Sequence, residues 1–426
     1  MYVVNRHDDQ FSSKTNTGFP KTNQCFPRTK SSPFNPILTS RPIQISKRIM
    51  HPISRIALFL FVAAALLPTV ASAQVGGSAV VFLKIEPDSR ASGMGNAGVA
   101  LADNASAIFW NPAGLAFQTG TEAAITHSTW LPEFKADLFY EYLIAKHHVP
   151  GWGTFGAHLT YLFLGQHEGR DAQNNPTGTF RSYDLATGLS YGVKLNDRIG
   201  VGTSLRFIYS NLAPGQTVGA QETKAGVSTA FDIAALYRTR KFAMGETMKG
   251  EFSAGFNLAN MGNKIQYSDN AQADPIPTNI RFGYAFKMDF DEFNSLTLVT
   301  DLNKDLIHYS DSSSTADPFY KAVFTSWSPV KVRTNALADD EAQFKSLGVL
   351  SQLTVGTGFE YWYNNLFALR GGYFYENPNN GNRKYMTLGA GVRMSIIGID
   401  FSYIYAEQNS PLANTMRFSM LVNFEK

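Results

Sequence analysis

Bulky and small residues alternate along most of the chain from about residue 122 to the carboxy terminus. Between Tyr183 and Leu195, every second residue is bulky or apolar, and the residues between them are mostly small or polar. Since successive side chains of a strand point to opposite faces, this pattern predicts strands with one apolar face. An apolar outside and a polar inside are typical of a transmembrane barrel, and a soluble antiparallel sheet with one hydrated face is the alternative.

Fourteen segments follow this pattern, and each is long enough to cross a bilayer as a tilted strand, which takes about 9–11 residues. They cover 122–131, 139–149, 153–165, 182–195, 199–212, 225–239, 249–262, 276–289, 294–307, 353–365, 366–377, 384–394, 397–408 and 414–426.

The connections between these segments alternate between short and long. The short ones are 150–152, 196–198, 291–293, 364–365 and 396–397, and the long ones are 166–181, 213–224, 262–275, 308–352 and 377–383. Outer-membrane barrels have short periplasmic turns and longer outer loops. The pattern therefore predicts an all-β protein, a 14-stranded antiparallel transmembrane β-barrel over 122–426 with both ends on the periplasmic side.

The first 73 residues have the features of an export signal. Residues 56–67 form an apolar run that follows basic residues, and Ala71-Ser72-Ala73 matches a signal-peptidase site. We expect a signal peptide over 50–73, cleavage after Ala73 and integral insertion into the outer membrane of a Gram-negative bacterium, in contact with its lipids. Residues 1–49 have no periodicity, so we interpret them as a non-structural leader or a misassigned gene start.

Removal of this leader changes the charge of the protein. Residues 1–73 contain nine basic and two acidic residues, so the formal net charge falls from +3 to −4. The basic balance of the full sequence therefore gives no reason to expect nucleic acid as a partner. The only cysteine, Cys25, is also removed, which excludes disulfides and thiol chemistry in the mature chain.

Charged residues of the predicted strands fall on the polar phase, where they would face the barrel interior. They are Asp184, Arg206, Glu251, Arg281, Lys287, Glu360, Arg393 and Arg417. We favour a paired, hydrated interior network over a ring that selects a ligand.

The chain has no pattern that indicates catalysis, a metal site or a cofactor. Gly93 to Gly98 matches a dinucleotide fingerprint in letters only, because it follows no strand and lies in no βαβ unit. His147-His148 is an isolated pair. We therefore expect a protein that is not an enzyme.

Residues 74–121 break the alternation, and their motifs resemble a known family. The stretch Phe82-Leu83-Lys84-Ile85-Glu86-Pro87-Asp88-Ser89-Arg90-Ala91-Ser92-Gly93-Met94-Gly95 is similar to the amino-terminal signature of PorV/PorQ-type proteins. Phe109-Trp110-Asn111-Pro112-Ala113 resembles an element of the wider FadL-like barrels.

This resemblance implies an outer-membrane component of the type IX secretion system. Proteins of this family bind the carboxy-terminal signal domains of cargo, associate with the translocon barrel (SprA, also called Sov) and deliver cargo to the PorU attachment machinery. The alternative is a FadL-like transporter of hydrophobic small molecules, which the shared element also fits.

Two groups of residues are the candidates for function. Residues 74–121 would plug or cap the periplasmic side, anchored by Trp110, Asn111 and Pro112, which could also form only a turn into the first strand. In the outer loop 308–352 the aromatic residues Phe319, Tyr320, Phe324 and Trp327 are candidates for contact with cargo or a partner, since aromatic side chains are typical interface anchors. A plain packed loop is the alternative.

Overall fold

The computed structural model describes residues 77–171, 173–218, 221–268, 273–309, 315–333, 344–407 and 410–424. The predicted leader and signal peptide lie outside these residues. Within the described part of the chain, no helix combines the length and the apolar character that a membrane-spanning helix needs.

Fourteen long strands form the wall of the molecule, as the alternation predicts. They are β1 (Thr121–Thr129), β2 (Phe139–Val149), β3 (Gly153–Arg170), β4 (Pro176–Lys194), β5 (Ile199–Asn211), β6 (Gly226–Arg238), β7 (Lys249–Gly262), β8 (Asn279–Asp289), β9 (Asn294–Asp305), β10 (Thr354–Tyr363), β11 (Phe367–Glu376), β12 (Lys384–Met394), β13 (Ile397–Ala406) and β14 (Met416–Asn423).

Each of these strands pairs antiparallel with its neighbours in the chain, and β1 pairs with β14, so the sheet closes into a barrel. In the closing pair Ile125 lies opposite Met420. Closure leaves the long strands without the free edges that invite aggregation. The predicted 14-stranded antiparallel barrel is confirmed.

Burial alternates along the strands, which separates an inward from an outward face. In β14 the outward residues Met416, Phe418 and Met420 are exposed, whereas Arg417 and Ser419 are buried. Large apolar side chains are exposed in the same way around the barrel, as expected for a surface that meets hydrocarbon.

Short and long connections alternate, apart from the longer connection 239–248 on the short side, so the barrel has a short-turn end and a long-loop end. The turn between β2 and β3 is Pro150-Gly151-Trp152, whereas residues 306–353 join β9 to β10 at the opposite end. Because the number of strands is even, β1 begins and β14 ends at the short-turn end.

Several short elements lie outside the wall. Two-stranded pairings join Thr217–Val218 to Gln221–Glu222, Val330–Arg333 to Phe344–Leu347, and Phe242–Ala243 to the start of β7. The helices are the 3₁₀ turns Val81–Lys84, Pro112–Phe117, Pro132–Phe134 and Val349–Gln352, and the α-helices α1 (Ser89–Ser92), α2 (Ala107–Trp110) and α3 (Phe319–Thr325).

The main apolar core lies between residues 77–120, termed the amino-terminal segment, and the inward face of the wall. Phe82, Leu83 and Ile108 of the segment pack in one cluster with wall residues such as Tyr142 and Ile208. A second cluster joins Met94, Val99 and Trp110 to inward residues of β8 and β9. The burial of these side chains stabilises the segment in place.

Candidate functional site

The amino-terminal segment contacts the wall at both ends of the barrel. At the long-loop end the Ala79 N–H donates a hydrogen bond of 3.0 Å to the carbonyl of Pro275. At the short-turn end the Thr154 hydroxyl donates a hydrogen bond of 3.1 Å to the carbonyl of Gln118. The segment therefore runs along the interior and reaches further than the expected cap on one side.

Trp110 and Asn111 are buried inside the barrel and hold the segment to itself and to the wall. The Trp110 indole N–H donates to the Asp88 carboxylate, and the Asn257 amide of β7 donates to the Trp110 carbonyl at 3.0 Å. The Asn111 amide donates to the carbonyls of Val99 at 2.9 Å and Ala235 at 3.1 Å, the latter on β6. Both side chains join distant parts of the chain, which goes beyond a local turn.

Pro112 lies directly against the wall. It begins the 3₁₀ turn Pro112–Phe117, and the Asn111 side chain accepts a hydrogen bond of 3.1 Å from the Ala113 N–H at the start of this turn. A Cβ added to Gly202 of β5 would lie 2.3 Å from the Pro112 carbonyl carbon, so only glycine permits this approach.

The Gly-Met-Gly motif of the segment has a structural role. Gly95 has a φ of +71°, and a Cβ there would lie 2.5 Å from the Thr357 carbonyl oxygen of β10. Its N–H donates a hydrogen bond of 2.8 Å to the Thr387 hydroxyl of β12. The motif thus brings the backbone of the segment against two strands of the wall.

A chain of ion pairs fastens α1 to four strands. Arg90 donates to Glu360 through Nε at 2.8 Å and Nη2 at 2.7 Å. Glu360 also accepts from Arg370 at 2.7 Å, and Arg370 donates to Asp400 at 2.8 Å. Arg393 closes the chain on Asp400 at 2.6 Å. Alternating signs of charge compensate one another where water is largely excluded.

The eight charged residues predicted to face inward all lie on the inward face. Asp184, Arg206, Glu360 and Arg417 are buried, and Arg206 pairs with Asp232 at 3.1 Å. The Arg281 guanidinium carbon lies 4.7 Å from the ring centre of Phe109 on the segment. These contacts fit a paired interior network better than a ring of charges that selects a ligand.

A cavity lies between the segment and the wall at the short-turn end. It has a volume of about 520 Å³, and its lining includes Arg238, Glu251, Lys287, Glu360 and Arg393. Two other cavities, between the segment and the wall, have volumes of about 40 and 10 Å³. Within the described residues, no cluster of three acidic, histidine or cysteine side chains could hold a metal ion.

The helix α3 lies in the long loop 306–353, and Asp317, just before the helix, fixes its start. The Asp317 carboxylate accepts hydrogen bonds from Lys321 at 2.7 Å, His308 at 2.8 Å and Thr325 at 2.9 Å. The hydrogen bond from Lys321, followed by those from His308 and Thr325, lowers the pKa of Asp317 to about 2. The helix therefore depends on an ionised carboxylate.

The four aromatic candidates lie together on and beside α3, but they differ in exposure. Phe319 packs edge-on against Phe231 of β6, with ring centres 5.8 Å apart. Tyr320 and Phe324 are 66% and 80% exposed, and Trp327 is 45% exposed. Three aromatic side chains are therefore exposed, while Phe319 attaches the helix to Phe231, which lies on the outward face of the wall.

Several residues that hold the amino-terminal segment against the wall were not predicted from the sequence. Arg90, Arg370 and Asp400 form the core of the ion-pair chain, and Asp301 accepts hydrogen bonds from the N–H groups of Gly98 and Val99 at 2.7 and 2.8 Å. Asp301, Arg370 and Asp400 fall on the polar phase of their strands, so the alternation could have identified them as inward-facing. Arg90 lies outside the strands, so the alternation could not predict its ion-pair partners.

The chain is similar to one protein family and to several solved structures. A family model described as "Type IX secretion system protein PorV" matches residues 69–311. No curated protein matches the chain.

Solved structures with a similar fold include two toluene transporters and a FadL homologue. The Pseudomonas putida toluene transporter TodX is 11% identical, with 80% of this chain and 100% of that chain covered and a TM-score of 0.45. The Ralstonia pickettii toluene transporter TbuX is 12% identical, covering 80% and 99%, with a TM-score of 0.40. A Pseudomonas aeruginosa FadL homologue is 12% identical, covering 80% and 98%, with a TM-score of 0.37.

Proposed function

We propose that this chain, which belongs to the PorV family of type IX secretion system proteins, binds cargo by the carboxy-terminal signal domain and passes it to the cell surface. The barrel and the family together indicate an outer-membrane protein of type IX secretion. The short-turn end then faces the periplasm and the long-loop end faces the outside.

The main support for the proposal is a pair of exposed aromatic side chains on α3, a helix that is fixed in position. Tyr320 and Phe324 project from α3, whose start is fixed by Asp317 and whose Phe319 packs on the wall. Rigid aromatic side chains lose little conformational entropy on binding and are enriched at interface hot spots. We assign cargo or partner contact to Tyr320, Phe324 and Trp327, with Phe319 positioning the helix.

The amino-terminal segment would act as a plug in this function. It fills the interior alongside cavities of about 40 and 10 Å³, and Trp110, Asn111 and Pro112 are its anchors. A cargo-binding barrel needs no open passage, because its cargo is handled outside the barrel. We propose that cargo arrives from a translocon barrel similar to SprA and leaves to attachment machinery similar to PorU, without a catalytic step on this chain.

A FadL-like transporter of hydrophobic small molecules fits the interior less well. Such a protein needs an apolar pocket for its ligand. The cavity of about 520 Å³ is instead of mixed character, with charged groups such as Arg238, Glu251 and Lys287 in its lining beside apolar ones such as Ile397. We therefore keep cargo binding as the proposed function.

The test compares two variants with the same chemistry in different loops. In the first, Tyr320→Ser and Phe324→Ser are combined; in the control, Phe134→Ser removes an aromatic side chain that is 60% exposed in the 130–138 connection. The probe is a purified carboxy-terminal signal domain of a type IX cargo from the same organism, titrated against the purified full barrel.

We expect the α3 double variant to bind at least about 30-fold more weakly, since hot-spot truncation costs about 2 kcal/mol or more. The Phe134→Ser control should bind like the parent. Equal affinity of the α3 variant and the parent would remove α3 from the binding surface. Failure of the parent itself to bind the domain would overturn the proposed function.

A further inference from the structure

The amino-terminal segment starts at the outer mouth of the barrel. The Tyr309 hydroxyl, in the loop 306–353, donates a hydrogen bond of 2.6 Å to the carbonyl of Gly77. Ala79 is bound to Pro275 in the connection between β7 and β8, which lies at the same long-loop end. The first described residues are thus held by two outer connections.

The segment then crosses the interior toward the periplasmic end, with a return toward the outer end where Phe109 packs on Arg281. Lys84 pairs with Asp305 at 2.5 Å, at the outer end of β9. The Ser89 N–H donates to the Ser419 hydroxyl at 3.0 Å, further along β14. Arg238, the last residue of β6, donates to the Leu101 carbonyl at 2.9 Å near the periplasmic end.

The chain then leaves the interior at the periplasmic end. Lys146 of β2 donates to the carbonyl of Thr119, and β1 begins at Thr121. Residues 77–120 therefore pass through the whole interior from outside to inside, in the direction opposite to that of a cap inserted from the periplasm.

This path restricts the position of a cleaved amino terminus. Cleavage after Ala73 leaves three residues ahead of Gly77, which span at most about 10 Å when fully extended. The hydrocarbon core alone is about 30 Å thick, so these residues are too short to return to the periplasm.

We propose that the amino terminus of the mature chain is displayed on the cell surface, at the outer mouth beside Tyr309. There it adds a free chain end to the surface formed by the loop 306–353. The proposal rests on cleavage after Ala73, which is an expectation from the sequence, and on the path and the orientation of the chain; it does not require that α3 binds cargo.

The experiment uses single cysteines, because the only natural cysteine is Cys25, ahead of the expected cleavage site. Ser78→Cys is the probe position. Gln173→Cys, at the exposed tip between β3 and β4, is the outer control, and Asp197→Cys, in the turn between β4 and β5, is the periplasmic control. Intact and permeabilised cells are treated with a maleimide attached to a polyethylene glycol chain that is too large to pass through outer-membrane porins.

We expect Ser78→Cys to react in intact cells, as Gln173→Cys does, while Asp197→Cys reacts only after permeabilisation. A Ser78→Cys thiol that reacts only after permeabilisation, or only after denaturation, would overturn the proposal. The same holds if Asp197→Cys reacts in intact cells and Gln173→Cys does not, because the orientation would then be reversed.

A second variant tests the path without relying on accessibility. The hydrogen bond between Ala79 and Pro275 holds their backbones close enough for a disulfide, whose Cα atoms usually lie about 4.4–6.8 Å apart. Ala79→Cys combined with Pro275→Cys should oxidise to an internal disulfide, detected by mass spectrometry of the linked peptides. Absence of this bond, in a barrel that still migrates as folded, would overturn the path.

Discussion

The guanidinium of Arg90 binds both oxygens of the Glu360 carboxylate, at 2.8 and 2.7 Å, and so joins the amino-terminal segment to β10 of the wall. The Glu360 side chain is 1% exposed. A bidentate pair of this kind is strong and directional, and its position fixes the register of α1 against the barrel. The same fork of Arg90 also contacts Asp103, further along the segment.

Glu360→Gln should destabilise the barrel because it leaves Arg90 and Arg370 without their shared carboxylate. Loss of one partner of a buried ion pair costs about 3–5 kcal/mol. The expected result is a lower midpoint of urea unfolding in lipid vesicles, with unfolding measured by electrophoretic mobility. Proteolysis between residues 77 and 120 should also be faster.

The control for this change is Glu168→Gln, which breaks the exposed pair with Arg170. Exposed pairs contribute about 0–1 kcal/mol, so its midpoint should stay close to that of the parent. Equal effects of the two variants would show that the Arg90–Glu360 pair does not hold the segment.

Gly95→Ala tests the close approach of the segment to the wall. Gly95 and Gly215 have similar positive φ values, +71° and +68°, but only at Gly95 would a Cβ meet another atom, the Thr357 oxygen at 2.5 Å. Gly215→Ala therefore measures the backbone cost alone, of about 1–3 kcal/mol at most. Gly95→Ala should destabilise the barrel by clearly more, and an equal loss of unfolding free energy in both variants would contradict the contact.

Acid should release α3 from the wall in a defined pH range. The pKa of Asp317 is lowered to about 2 in the folded loop, against about 3.9 for a free aspartate. Since the folded pKa is the lower one, its stabilising effect is complete above about pH 4 and is lost as the pH falls toward 2.

Quenching of Trp327 fluorescence by acrylamide measures this release, taken as the difference between the parent and a Trp327→Phe variant. Quenching should be constant from about pH 8 to 4 and should rise between about pH 4 and 2. In Asp317→Asn it should already be high at neutral pH and change little on acidification. A rise centred well above pH 4 in the parent would point to a different group.

The alternation was sufficient for the wall, because a barrel strand needs only an apolar outside and a polar inside. The bounds of the strands 139–149, 249–262 and 384–394 were predicted without error. The pattern did not predict the parts of strands that continue beyond the membrane. β3 extends to Arg170 and β4 begins at Pro176, and their pairing has a register shift after Phe163. Outside hydrocarbon, the alternation is no longer required.

The interior could be predicted only in part. The polar phase identified charged residues such as Glu360 and Arg393, since a charged side chain is costly on the lipid face. Their partners depend on the path of residues 77–120, which has no periodicity to read. The direction of that path is set by contacts such as Tyr309 to Gly77, between residues more than two hundred positions apart.

Affinity purification of the tagged chain from the native outer membrane, with mass spectrometry of the associated proteins and bound small molecules, distinguishes cargo binding from small-molecule transport. The proposed function predicts recovery of the type IX translocon barrel together with proteins that share a carboxy-terminal signal domain. Recovery of the barrel alone, with a hydrophobic small molecule bound in its interior, would contradict it and favour a transporter.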